Sequence, residues 1–68
     1  MSSSDERVLD ALRQRRLCAQ QLAAALGEPL EDAIWPALVR LSDRGLAHPL
    51  IRMRRIDGIG RARLWSAA

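Results

Sequence analysis

The residues best suited to chemistry are arginines near the C-terminal end, and their chemistry is anion binding. The segment Ile51 to Arg63 contains five of the eleven arginines and one acid, Asp57. A planar guanidinium donates paired hydrogen bonds to phosphate oxygens, so such a cluster favours a polyanionic ligand. Phosphates of a nucleic-acid backbone are the commonest ligand of this kind. The five arginines are Arg52, Arg54, Arg55, Arg61 and Arg63.

The charge of the chain is unevenly distributed. Residues 1–50 hold six arginines and seven acids, whereas residues 51–68 hold five arginines and one acid. The positive excess therefore lies at one end, which predicts that an anionic partner binds there.

Other chemistries find little support. The single cysteine, Cys18, excludes an internal disulfide and a zinc cluster, and it is expected to be a buried, inert thiol in a reducing cytoplasm. The lone histidine, His48, has no partner at metal spacing and is expected on a surface loop. Because no nucleophile–base pair or carboxylate pair is visible, we expect no enzymatic activity, cofactor, metal or small-molecule substrate. The longest uncharged run, residues 17–27, is too short to cross a membrane, and the N-terminus lacks a signal-peptide pattern.

The apolar spacing predicts three helices within one domain, residues 1–68. They cover residues 3–16, 17–26 and 31–44, with Gly27 and Gly45 placed to end the second and third. Pro36 interrupts the third helix, which predicts either a late start with Asp32 as N-cap or a kink near Trp35.

Two strands, residues 46–55 and 61–66, are predicted around an Asp57-Gly58 turn. An even-numbered loop keeps Met53 and Ala62 on one face, whereas a three-residue loop would put Met53 on the face of Arg63. The even loop then places four arginines in a row on the opposite face: Arg52, Arg54, Arg61 and Arg63. Such a row is unfavourable alone and predicts a bound polyanion. The alternative is a charged edge hairpin that prevents strand-to-strand aggregation.

The order helix, helix, helix, hairpin, with the segments LAAALG and AIWPALVRLSDRGLA, resembles the winged helix-turn-helix family. Leu38-x-x-Leu41-x-x-Arg44-Gly45-Leu46 is similar to the end of the recognition helix in small bacterial regulators. The short pilus-operon regulators are closest in size and share an aromatic residue in the last strand, here Trp65. The resemblance implies an α+β fold, duplex DNA binding in transcription regulation, and a homodimer or co-regulator protein.

Further contacts to nucleic acid are expected from helices 2 and 3. The third helix would enter the major groove, where Arg40 and Arg44 contribute, and Gln20 opens the second helix, where an amide donates to phosphate. Family members often have Ser or Thr capping this helix where Cys18 stands.

The third helix also departs from the family pattern. Its N-terminal end carries Glu31 and Asp32 instead of the residues that usually read bases. Such acids would repel phosphates near the helix, although both are also favourable at the positive end of a helix without any specific role. Trp35 is either a core residue or an exposed anchor next to Pro36 and Val39. The second reading makes the chain an interaction module that binds another protein through this apolar surface.

Overall fold

A computed structural model describes residues 3–68 and contains three α-helices and three β-strands. The elements are α1 (Ser3–Gln14), β1 (Leu17–Cys18), α2 (Ala19–Leu26), a π-helical turn (Leu30–Ile34), α3 (Trp35–Asp43), β2 (Ala47–Ile56) and β3 (Gly60–Ala67). Three helices followed by an antiparallel hairpin confirm the predicted α+β architecture. We call the hairpin of β2 and β3 the wing.

One core joins the helices to the base of the wing. In α1 the side chains of Val8, Leu9 and Leu12 are buried, as their spacing along one helix face predicts. From the last strand, Trp65 enters the same core. Equivalent buried positions on the other helices and strands complete the core: Leu17, Ala19, Leu22, Ile34, Ala37, Leu38, Leu41 and Ala47.

The second helix begins two residues later than predicted. Leu17 and Cys18 form β1, which pairs with Trp65 and Leu64 of β3. Cys18 has an extended backbone and acts as the N-cap of α2, its Sγ accepting a hydrogen bond from the backbone N–H of Gln21 at 3.4 Å. In return, the Gln21 side chain accepts from the backbone N–H of Cys18 at 3.0 Å. The thiol is thus a buried cap, as predicted, in a reciprocal capping arrangement.

The third helix is replaced at its start by the π-helical turn, and α3 begins at Trp35. The predicted late start with Asp32 as N-cap is wrong, because Asp32 lies inside the π-helical turn and α3 begins only at Trp35. The irregularity lies next to Trp35, where the alternative prediction placed a kink. In that turn the backbone N–H of Trp35 donates to the carbonyl of Leu30. Pro36 has no N–H, and its ring would crowd the Asp32 carbonyl in an unbroken α-helix, so a wider turn precedes the proline.

The strand order is β1-β3-β2, with every pair antiparallel. Within the wing Ile56 pairs with Gly60, which leaves the three-residue loop Asp57–Gly58–Ile59. The predicted even loop is therefore wrong. Gly58 and Gly60 both have positive φ, 82° and 95°, and this backbone allows an odd loop to join the strands.

A bulge interrupts the wing between the pairs Pro49–Trp65 and Met53–Arg63. Residues 50–52 of β2 lie opposite a single residue of β3, so the ladder is broken there. The Arg63 guanidinium closes the gap by donating from Nη1 to the carbonyls of Leu50 (2.8 Å) and Ile51 (3.1 Å). The bulge leaves the Ile51 side chain 91% exposed.

Candidate nucleic-acid interface

The wing arginines do not form the predicted single row. Arg55 faces Arg61 across the ladder, while Arg54 faces Ala62 on the other side of the hairpin. Arg63 pairs with Met53 on the face of Arg55 and Arg61. The correction follows from the loop length, because changing the loop by one residue moves one strand's side chains to the opposite face relative to the other strand. The wing therefore carries arginines on both faces.

All five wing arginines are exposed. Among residues 3–68, the ion pairs involve Arg7, Arg13 and Arg40, so no wing arginine is neutralised by a carboxylate of the described chain. Arg63 is nevertheless engaged, since its guanidinium binds the bulge carbonyls. Four guanidinium groups thus remain available to an anionic ligand: those of Arg52, Arg54, Arg55 and Arg61.

Arg40, predicted to contact nucleic acid, has an internal partner. Its Nε and Nη2 donate three hydrogen bonds of 2.7–3.1 Å to the carboxylate of Asp5. The hydrogen bond to Asp5, together with the negative charge of that carboxylate, raises the pKa of Arg40 above its usual value. Asp5 is only 1% exposed, so this pair ties the start of α1 to α3. The guanidinium group of Arg40 therefore stabilises the packing of α1 against α3.

The burial of Asp5 had a signal in the sequence. Asp5 precedes Val8, Leu9 and Leu12 by three, four and seven residues, which places it on the apolar face of α1. An acid at such a position predicts a buried carboxylate with a basic partner. The hydrogen bonds from Arg63 to the bulge carbonyls could not be predicted in this way, because they depend on a bulge that the sequence pattern does not reveal.

The two remaining predicted contacts are exposed. Arg44 follows α3 as its C-cap residue, and Gln20 lies in the first turn of α2. The neighbouring Gln21 is committed to the cap with Cys18. Only the first of the two glutamines at the start of α2 is therefore available for an external phosphate.

The π-helical turn exposes two acidic side chains, and the first turns of α3 expose apolar ones. Glu31 and Asp32 are exposed in the π-helical turn, and neither forms an ion pair within residues 3–68. Trp35 is 39% exposed and Val39 is 54% exposed, while Pro36 is half-buried. The structure gives Trp35 an intermediate position, since its ring also packs edge-on against Trp65 with centroids 6.4 Å apart at 73°. This helix offers few donors for reading bases.

His48 is exposed, but it lies in β2 opposite Ser66, so the expectation of a loop position is wrong. Residues 3–68 contain no group of three or more potential metal ligands. No helix in this range has the length and apolarity needed to cross a bilayer.

No known protein-family model matches the chain. No curated protein sequence matches it either. Among solved structures it is similar to ZitR of Lactococcus lactis, in a mutant with one cysteine and one histidine replaced by alanine, with a TM-score of 0.78 and 24% sequence identity. The similarity covers 100% of this chain but 43% of the ZitR chain, so the chain spans less than half of that protein's length. At this identity the likeness establishes the fold, and the chain has the winged-helix fold.

Proposed function

We propose that this chain is a DNA-binding winged-helix protein, a small transcriptional regulator whose wing contacts the phosphate backbone of duplex DNA. The observation that carries the proposal is the group of exposed wing arginines with no carboxylate partner within residues 3–68. Arg55 and Arg61 lie directly opposite each other, an arrangement that is unfavourable until an anion binds between or beside them.

Arginines on both faces of a thin hairpin suit a particular ligand geometry. A groove of duplex DNA has phosphates along both walls, so a hairpin lying in or across it meets negative charge on two sides. Arg54 on one face and Arg55 and Arg61 on the other would then contact opposite walls. A ligand with a single anionic surface would leave one face unneutralised, which makes a grooved polyanion the better match.

In the proposed mode of binding, α3 contributes little to the recognition of base sequence. Glu31 and Asp32 oppose phosphate, and Arg40 is held by Asp5. Arg44 at the end of α3 and Gln20 at the start of α2 remain as supporting phosphate contacts. We therefore expect affinity to depend strongly on charge and weakly on base sequence.

Titration of isotope-labelled protein with random-sequence duplex DNA tests the proposal. The amide signals of β2 and β3 are expected to shift most, and the double variant R55A/R61A should lose most of these shifts. The matched control R13A/R15A removes the same charge from the end of α1 and should leave them in place. Shifts confined to α3 around Trp35, with a silent wing, would contradict DNA binding through the wing.

A second candidate is a protein-interaction module that uses the apolar surface of Trp35, Pro36 and Val39. The exposure of Val39 and of part of Trp35 on the outer side of α3 favours it. Under this alternative, duplex DNA would bind negligibly at physiological salt, and Val39→Asp would abolish binding of the protein partner. One DNA titration therefore distinguishes the two proposed functions.

A further inference from the structure

The molecule presents two exposed surfaces of opposite charge, each containing apolar side chains. The first, which we call the acidic face, consists of Glu31, Asp32, Trp35 and Val39 on the π-helical turn and α3. The second is the wing. Neither Glu31 nor Asp32 forms an ion pair with any residue in the range 3–68, so the charge of the acidic face is not neutralised from within.

The wing complements this face in apolarity as well as charge. Three of its large apolar side chains are exposed among the arginines: Ile51 is 91% exposed, Met53 45% and Ile59 37%. On the acidic face, Trp35 and Val39 stand one helical turn apart and are 39% and 54% exposed. Isolated exposed apolar residues are ordinary, but two mixed surfaces with opposite charge can bury each other's apolar groups while pairing their charges.

We propose that a second copy of this chain is the ligand of the acidic face, with its wing docked against Glu31, Asp32, Trp35 and Val39. A two-fold pair allows both wings to dock reciprocally, so the contact closes at a dimer instead of extending into a filament. Two contacts also double the buried area, which matters for a chain that exposes only 4456 Å². The dimer occupies Arg55 and Arg61 of both wings. Only its competition with DNA rests on the proposed function.

Sedimentation equilibrium of the whole chain at low salt is the primary measurement. The parent protein is expected to form a dimer that dissociates as salt is raised, because exposed ion pairs are screened. The variant E31R/D32R makes the acidic face basic, and R55E/R61E brings the wing from five arginines and one acid to three arginines and three acids, which removes its positive charge; each alone should be monomeric. The matched control E6R/D10R changes the charge of α1 by the same amount and should dimerise like the parent.

Mixing the two monomeric variants provides the sharpest test. In the mixture the unchanged wing of one variant meets the unchanged acidic face of the other, and the two exchanged sites, R55E/R61E and E31R/D32R, meet with opposite charges, so both reciprocal contacts are restored. A heterodimer at one-to-one stoichiometry supports the proposal. A parent protein that stays monomeric, a dimer of R55E/R61E alone, or a mixture that fails to associate would each overturn it. Thermal melts monitored by circular dichroism show that each variant is folded before it is used.

The DNA-binding proposal can fail separately from this one. E31R/D32R retains the whole wing and gains positive charge, so its affinity for duplex DNA should equal or exceed that of the parent. If the parent dimerises and the mixed variants associate while no variant binds DNA, the self-association stands and the proposed function falls. Tight DNA binding by a parent that never dimerises gives the opposite result.

Discussion

The salt dependence of DNA binding gives the most quantitative test of the wing's role. All five wing arginines are exposed, and four of them have no ion-pair partner within residues 3–68, whereas Arg63 is held by the bulge carbonyls. If each of the four neutralises one phosphate, and the supporting contact from Arg44 adds no further neutralisation, log affinity should fall against log salt with a slope of about −3.6. A rise in salt from about 50 to about 200 mM then weakens binding about 150-fold. The four arginines are Arg52, Arg54, Arg55 and Arg61.

Removing two of these contacts should flatten the dependence by a calculable amount. For R55A/R61A the expected slope is about −1.8, and the same rise in salt weakens binding only about 12-fold. Fluorescence anisotropy with a labelled random duplex measures both slopes, with the protein kept below the concentration at which it associates with itself. The control R13A/R15A lowers the net charge equally but lies at the end of α1, so its slope should match that of the parent.

Two results would refute this reasoning. An unchanged slope in R55A/R61A would mean that these guanidinium groups do not contact phosphates. An equal reduction in R13A/R15A would mean that the effect follows net charge and not the wing. A slope near −3.6 in the parent together with the halved slope in the variant supports counterion release by the wing.

Three further predictions concern the framework that positions the wing. Cys18→Ala removes the N-cap of α2 and should lower the free energy of unfolding by about 1 kcal/mol, whereas Cys18→Ser should largely preserve it, as chemical denaturation can show. Gly45→Ala should cost about 1–2 kcal/mol by the same measurement because φ is 72° there, although no atom lies within 4 Å of the added Cβ. Asp5→Asn should lower the melting temperature clearly more than the control Asp10→Asn, because Asp5 is buried against Arg40 while Asp10 is exposed; equal shifts would contradict a stabilising role for the buried pair.

The helical part of the fold could be predicted because burial leaves a strong periodic pattern. Val8, Leu9 and Leu12 share a face of α1 in the sequence and in the structure. The glycines that end α2 and α3 also lie where predicted, with φ of 64° at Gly27 and 72° at Gly45. Apolar residues at this spacing are buried together only if the segment is helical. A helix end that needs a positive φ favours glycine, which has no Cβ.

The elements that were mispredicted are short or locally irregular. A two-residue strand such as Leu17–Cys18 has no periodicity of its own, and it exists only because β3 lies beside it. The π-helical turn follows from Pro36, whose presence signalled an irregularity but not its form. In both places the backbone is determined by a neighbour in space or by a single residue, which a pattern averaged over several residues does not reveal.

The register of the wing was mispredicted for a reason that bears on its function. The even loop was inferred by assuming that Met53 shares one apolar face with Ala62, but Met53 is 45% exposed and the core ends near Trp65 and Ala47. Beyond that point burial no longer determines which face a side chain takes, and the glycine-containing loop and the bulge do so instead. Between Ile51 and Arg63, where the five arginines lie, only Ala62 is buried, so this segment gains little folding stability from its composition. Its charge is better explained by a ligand, and the distribution of arginines over both faces favours a ligand that surrounds the wing over one that covers a single side.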